Sequence, residues 1–249
     1  MSFSPDYQPA DDLLSNRVIL VTGAGDGIGR AVALATASHG ATVILLGKTV
    51  SKLEKVYDEI EQAGGPQAAI YPVHMEGASP ADYEQLAQTV SENFGRLDGL
   101  VHCANLLPYL SRLKDYEAED WMKVMQVNLN GAFLLTQACI EPLMASDAAS
   151  VIFSSDQVGV QAKPFWGAYG ISKFAIEGMA RTWAQEMGSS NIRVNLADPG
   201  PTLTAMRKRV FPGEDNSNLK TPADVAPLYL WLLGADSAGL NGERIAYPG

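Results

Sequence analysis

Apolar residues along this chain come in short unbroken runs separated by longer amphipathic stretches. The runs are Arg17–Val21, Ala41–Leu46, Ala68–Pro72, Asp98–His102, Ser150–Ser154, Asn191–Ala197 and a short last one at Glu243–Tyr247. They are apolar without strict alternation, which predicts strands buried on both faces. Helical spacing follows from Arg30 to about His39, then over Ser51–Ala63, Pro80–Phe94, Ala118–Ala145 as one long region, Gly167–Met187, and from Thr221 to about Leu233. Pro80 marks one helix start, and Thr221-Pro222-Ala223-Asp224 reads as a capping box with Asp replacing the usual Glu or Gln. Strand and helix alternate from end to end. This predicts an α/β fold with a doubly wound parallel sheet, three αβα layers and a single domain over 1–249. Residues 199–219, rich in Pro, Gly, Asn and charge, break the rhythm. A long connection after a late strand reads as a substrate lid or as a solvated surface loop.

Composition narrows the class. The 249 residues can bury a sizeable core without staples, and a chain that is 47% hydrophobic and 18% charged is not disordered as a whole. It has 28 acidic and 18 basic residues, a net charge of −10, and no long Lys/Arg run, so nucleic acid and anionic membranes are poor partners. Two cysteines, Cys103 and Cys139, exclude a disulfide framework and favour a reduced, cytoplasmic setting. Residues 1–17 lack a basic region followed by an apolar stretch, so no secretory leader is expected. No apolar run approaches the roughly 18 residues of a membrane span.

The candidate chemistry begins at Thr22-Gly23-Ala24-Gly25-Asp26-Gly27-Ile28-Gly29, between the first strand and its helix. Glycines there permit a tight turn and close approach of a pyrophosphate, while the helix N-terminus offers free N–H groups. In an alternating chain this points to dinucleotide binding in a Rossmann fold. NAD sites place an acidic residue after the second strand to hold the ribose hydroxyl. Here that strand runs into Gly47-Lys48-Thr49, so Lys48 and Thr49 are placed for an extra phosphate and NADP(H) is favoured over NAD(H). Lys48 also reads as an exposed surface lysine, and Asp26 puts a negative charge near the phosphates. Tyr169 and Lys173, four apart on a helix, share a face. An ammonium beside a phenol favours the phenolate, so the pair suits proton transfer.

With those features placed, the sequence resembles the short-chain dehydrogenase/reductase family over nearly its whole length, and within it the YciK-like bacterial subgroup. The family resemblance rests on the glycine loop, Val127-Asn128-Leu129, Tyr169-Gly170-Ile171-Ser172-Lys173, and Arg193-Val194-Asn195 followed by Pro199-Gly200. The subgroup resemblance rests on Val43–Lys48, Gly167-Ala168-Tyr169, Lys220–Asp224 and Pro227–Leu232. It implies that Tyr169 exchanges the proton at a carbonyl or alcohol oxygen. Lys173 lowers the Tyr169 pKa and binds the nicotinamide ribose, and Asn128 supports a proton relay to Lys173. The cofactor site would comprise Thr22, Gly23, Gly27, Ile28, Gly29, Lys48, Thr49, Ala104, Tyr169, Lys173, Pro199, Gly200 and Thr202. It also implies a small-molecule substrate and a homodimer or homotetramer built on the helices around 118–145 and 167–187.

Departures from the family pattern are local. The catalytic serine falls 13 residues before the tyrosine, and here position 156 is Asp. Ser155 would point to the opposite face. An ionised Asp156 accepts but does not donate, disfavours a phenolate at Tyr169 and repels a developing oxyanion. A protonated Asp156 would donate as serine does, and an Asp156–Lys173 ion pair would draw the lysine away. After the fourth strand, the family's Asn-Asn-Ala-Gly reads His102-Cys103-Ala104-Asn105, and Asn105 would crowd the cofactor unless the loop moves. His74 falls near the expected adenine contact. His74, His102 and Cys103 match no metal-ligand spacing, so no metal is expected. Two classes stay open: an NADP(H)-dependent oxidoreductase, or a catalytically impaired member acting as a cofactor-binding or regulatory module.

Overall fold

The computed structural model describes residues 2–248. Seven strands form one parallel sheet in the order β3-β2-β1-β4-β5-β6-β7. They are β1 (Val18–Thr22), β2 (Thr42–Gly47), β3 (Ala69–Pro72), β4 (Gly99–His102), β5 (Ala149–Ser154), β6 (Ile192–Asp198) and β7 (Arg244–Ala246). Every residue of β1, β4 and β5 is buried, as their continuous apolar runs require of strands covered on both faces. Alternate β1 residues serve opposite layers. Ile19 and Val21 pack with α1 (Gly27–Ser38), α2 (Val50–Gln62) and α9 (Pro222–Leu233). Leu20 packs with α3 (Pro80–Phe94), Leu135 and α7 (Gly167–Glu186). Strand order reverses between β1 and β4, where doubly wound sheets open a crevice at the carboxyl ends of their strands. Register sets Thr22 beside His102, His102 beside Phe153, and Ser154 beside Ala197 along that edge.

Three local features depart from the pattern read in the sequence. The region 118–145 is not one helix. It divides into α4 (Ala118–Met125), a π-helical turn at Gln126–Asn130, α5 (Gly131–Ala138) and α6 (Ile140–Met144). Pro142 has no N–H to donate to Ala138, so the helix breaks at Cys139, which is buried at a junction rather than inside a helix. The π turn carries the buried Asn128, whose amide bonds both backbone groups of Leu106. The first helix starts at Gly27, earlier than expected, because the Asp26 carboxylate accepts the Gly27 N–H at 2.7 Å and caps it. The 199–219 connection contains a short helix, α8 (Ala205–Val210), started by Thr204, whose hydroxyl accepts the Arg207 N–H at 3.1 Å. The capping box expected at Thr221 and Asp224 is present. Among the described residues, no helix is long and apolar enough to cross a membrane.

The glycine loop is where packing and the site meet. Gly23 and Gly27 have φ of +68° and +52°, a region that L side chains rarely adopt. A Cβ on Gly29 would lie 2.4 Å from the Gly23 carbonyl oxygen, so only glycine lets α1 approach β1 this closely. Gly29→Ala should therefore destabilise the fold by about 1–3 kcal/mol, the usual cost of overpacking, as measured by urea unfolding. Unchanged stability would show that the loop relaxes freely.

Candidate functional site

A groove of about 530 Å³ runs along the carboxyl ends of the strands. At one end the glycine loop and the first turn of α1 line it. That turn leaves N–H groups without helical partners, the usual means of holding an anion. Asp26 occupies the Gly27 N–H and is itself paired with Lys52, so its charge at the glycine loop is partly offset. Lys48 and Thr49 are exposed at the groove's edge beyond β2. Of the residues expected to bind a cofactor, Gly23, Gly27, Ile28, Gly29, Lys48, Thr49, Ala104, Tyr169, Lys173, Pro199, Gly200 and Thr202 all line it. Thr22 does not: its hydroxyl is turned inward and accepts the Cys103 and Ala104 N–H groups at 3.0 Å each, tying β1 to the end of β4. Asn105 lines the groove, its side-chain amide donating to the Cys103 carbonyl at 3.2 Å. Positive-φ glycines, free helix amides and a flanking lysine fit a dinucleotide.

At the other end, β5 delivers Ser154, Ser155 and Asp156 to the first turns of α7. Asp156 faces Tyr169: the tyrosine hydroxyl donates to Asp156 Oδ2 at 3.1 Å, and Asp156 Oδ1 accepts the Val158 N–H at 3.1 Å. Ser155 turns away, as strand alternation requires, and donates to the buried Glu177. Lys173 is buried and donates to the Ser154 carbonyl at 2.6 Å, with its ammonium 5.5 Å from the Tyr169 ring centre. It forms no ion pair with Asp156. Burial and the Asp156 carboxylate hold the Tyr169 pKa well above the ordinary tyrosine range. Burial pulls Lys173 down to about 8, against the opposing pull of Asp156. Asn128 does not line the groove. It donates to Ser172 Oγ at 3.1 Å, next to Lys173 in sequence, and braces Leu106.

Several residues that shape this end escaped the sequence reading. Glu177 accepts from Ser155 and from Arg181 at 2.7 Å, and its other neighbour is Arg244 at 3.2 Å. Arg244 also pairs with Asp198, whose Oδ1 accepts the Gly200 N–H at 2.9 Å and so shapes the turn after β6. Tyr169, Lys173 and Glu177 recur every four residues on α7, a signal that the sequence did contain. Arg244 lies on β7, with nothing local to announce it. His102 is buried, stacked on Phe153 at 4.6 Å and bonded to Thr136 Oγ1 at 2.9 Å; burial alone lowers its pKa to about 3. The Cys103 thiol is pushed up to about 11 by burial.

Residues 17–215 match the family described as short chain dehydrogenase. The chain belongs to the short-chain dehydrogenase family. This short-chain dehydrogenase is 47% identical over 244 residues, 98% of its length and 96% of the relative's, to an Escherichia coli protein described as the uncharacterized oxidoreductase YciK. It is 46% identical to a Shigella flexneri short chain dehydrogenase described as complexed with NADP, with a TM-score of 0.93 over 95% of this chain and 99% of that one. An Escherichia coli short chain dehydrogenase described as complexed with NADPH is 47% identical, with a TM-score of 0.93 over 96% and 99% of the two chains. The Rossmann architecture and the YciK-like resemblance read from the sequence are therefore shown, as is oxidoreductase family membership.

The depressed Lys173 pKa has a signed consequence. Between about pH 8 and 10.5 the unfolded chain holds a proton that the folded one has released, so stability rises with pH through this window. Lys173→Met removes that dependence. The stability difference between wild type and Lys173→Met should shift toward wild type from pH 8 to 10 by a few kcal/mol, on the order of 1.4 kcal/mol per pH unit. A difference independent of pH would contradict the burial of a titrating ammonium.

Proposed function

We propose that this short-chain dehydrogenase is an NADP(H)-dependent oxidoreductase acting on a small carbonyl or alcohol, with its carbonyl chemistry slowed by Asp156. The observation that carries the reading is that Tyr169 and Lys173 line the same groove as the glycine loop, and the Asp156 contact to Tyr169 at 3.1 Å is what slows the chemistry. When bound, NADP(H) supplies or accepts the hydride. The glycine loop and the α1 N-terminus hold the pyrophosphate, and Lys48 and Thr49 hold the adenosine-ribose phosphate. Pro199, Gly200 and Thr202 carry the nicotinamide end on the turn that Asp198 and Arg244 brace. Tyr169 exchanges the proton at the substrate oxygen, and Lys173 stabilises its phenolate. Asn128 supports the proton path by fixing Ser172 and Leu106. Asp156 acts against the pair: it holds the Tyr169 proton and sets a negative charge where an oxyanion develops.

The 199–219 segment serves as the substrate lid of a single domain. Its Arg209 donates to the Leu107 carbonyl at 2.8 Å, which ties it across the groove. A homodimer or homotetramer accounts for Met122, Phe133, Ile171 and Phe174, large apolar side chains left exposed on α4, α5 and α7. The charge balance and free cysteines favour a cytoplasmic enzyme with neither nucleic acid nor membrane as partner. One observation favours the second class, a cofactor-binding or regulatory module: the Tyr169 hydroxyl is already committed to Asp156.

Fluorescence titration with NADPH followed by a carbonyl panel separates the two classes, because tight binding without turnover supports the module. Asp156→Ser should raise kcat/KM for carbonyl reduction about tenfold or more, the effect of about 1.4 kcal/mol in the transition state. Fast wild-type turnover with no gain in the variant contradicts the reading. Lys48→Ala should weaken NADPH binding by about tenfold and leave NADH nearly unchanged, as loss of one charge-assisted phosphate contact predicts. Equal losses for both cofactors would remove Lys48 from the phosphate site.

A further inference from the structure

Asp156 is the exception among the carboxylates at the reacting end. Asp198 is paired with Arg244, and Glu177 with Arg181 and Arg244. The nearby Lys173 ammonium is spent on the Ser154 carbonyl. Among the described residues no cation lies within 4 Å of Asp156, yet its carboxyl lines the groove. Both of its hydrogen bonds are accepted ones, from Val158 N–H and the Tyr169 hydroxyl. That pattern suits a carboxylate. Leu106 and Met206 add apolar lining to the groove, next to Arg207, which is paired with Glu214, and Arg209, which donates to the Leu107 carbonyl. A carboxylate that lines a groove without an ion-pair partner within 4 Å, next to apolar side chains, is complementary to an organic cation.

We propose that the preferred substrate carries a protonated carbon–nitrogen double bond, an iminium, with Asp156 as its counter-charge. This rests on the NADP(H) oxidoreductase reading above and puts an iminium ahead of the carbonyl as the preferred substrate. The two features that hinder carbonyl reduction do not hinder this reaction. A carbonyl gains negative charge on oxygen as hydride arrives and needs a proton from Tyr169, which burial and Asp156 keep in place. An iminium loses positive charge and needs no proton. Hydride from the reduced nicotinamide forms a bond to the iminium carbon, the carbon–nitrogen π pair moves onto nitrogen, and a neutral amine leaves with the nicotinamide oxidised. Asp156 selects the protonated, electrophilic form of the substrate. The Tyr169 hydroxyl, donating to Asp156 Oδ2, orients that carboxylate rather than acting as the acid.

Binding and turnover together test this. Calorimetry on the protein saturated with NADP+ compares tetrahydroisoquinolinium, the protonated form of an amine product and a stable mimic of the iminium charge, with isochroman, its neutral ether counterpart. Wild type should bind the cation about tenfold or more tightly, and Asp156→Asn, which keeps the shape and removes the charge, should lose that preference. In turnover with NADPH, dihydroisoquinoline should outpace tetralone in wild type. Asp156→Ser should reverse the order by lowering the imine rate and raising the ketone rate. Equal binding of cation and ether, or a cation preference kept by Asp156→Asn, overturns the proposal. So does a wild-type preference for the ketone with NADPH bound, which leaves the oxidoreductase reading intact. Absence of NADPH binding overturns both.

Discussion

Lys173 carries its ammonium into the contact between α7 and the sheet, where the Ser154 carbonyl meets it at 2.6 Å. Burying a charge is costly unless it is hydrogen-bonded and offset, so its surroundings are tightly constrained. The helix must place Lys173 at the end of β5, which puts Tyr169 one turn earlier over the mouth of the groove. Ser155 must then point behind the strand and Asp156 in front of it. Glu177, one turn later, falls behind the strand too and needs Arg181 and Arg244 to be tolerated there. Asp198 shares Arg244 and shapes the Pro199-Gly200 turn. One buried ammonium thus links the helix, two strand ends and the turn that closes the groove.

The same layout explains why a single substitution at position 156 matters. A serine at the end of β5 would remove the nearest negative charge from Tyr169 and leave Lys173 as its neighbouring charge, with burial and the more distant Asp198 still raising its pKa. With Asp in its place, the phenol sits between an ammonium and a carboxylate; burial does most to hold its proton and the carboxylate adds to that. Lys173 draws the phenol toward phenolate, Asp156 away from it. The phenol donates its hydrogen bond to Asp156 at 3.1 Å, whereas the ammonium donates to the Ser154 carbonyl at 2.6 Å, so Asp156 prevails in this geometry. Lys173 itself is weakened as a cation by its burial. The reacting end is therefore more negative in character than a site built to stabilise an oxyanion.

Much of this was legible along the chain because it depends on local pattern. Continuous apolar runs marked buried parallel strands, and β1 and β5 fell within a residue of their expected limits. Thr22–Gly29 marked the glycine turn that lines the groove, and counting back from Tyr169 placed Asp156 opposite it. What the sequence concealed depends on contacts between distant segments. The break at Cys139 follows from Pro142, yet the π turn at Asn128 reflects its grip on Leu106, 22 residues away. Thr22 belongs to the motif but bonds the chain 81 residues on, so its place in the loop did not reveal that it faces inward. Arg244 gains its meaning only when β7 joins the sheet beside β6 and brings it to Asp198 and Glu177. The helix at Ala205–Val210, lying in a segment rich in turn-forming residues, owes its start to the Thr204 cap.

Of the two charged neighbours of Tyr169, the Asp156 carboxylate and not Lys173 decides where its proton stays. The most direct test is the ionisation of Tyr169 itself, followed by NMR with isotope-labelled tyrosine in wild type and Asp156→Ser, with Tyr169→Phe identifying the signal. The account predicts that Tyr169 ionises at lower pH in Asp156→Ser than in wild type, by about one pH unit or more. An unchanged or higher ionisation pH in the variant would contradict it.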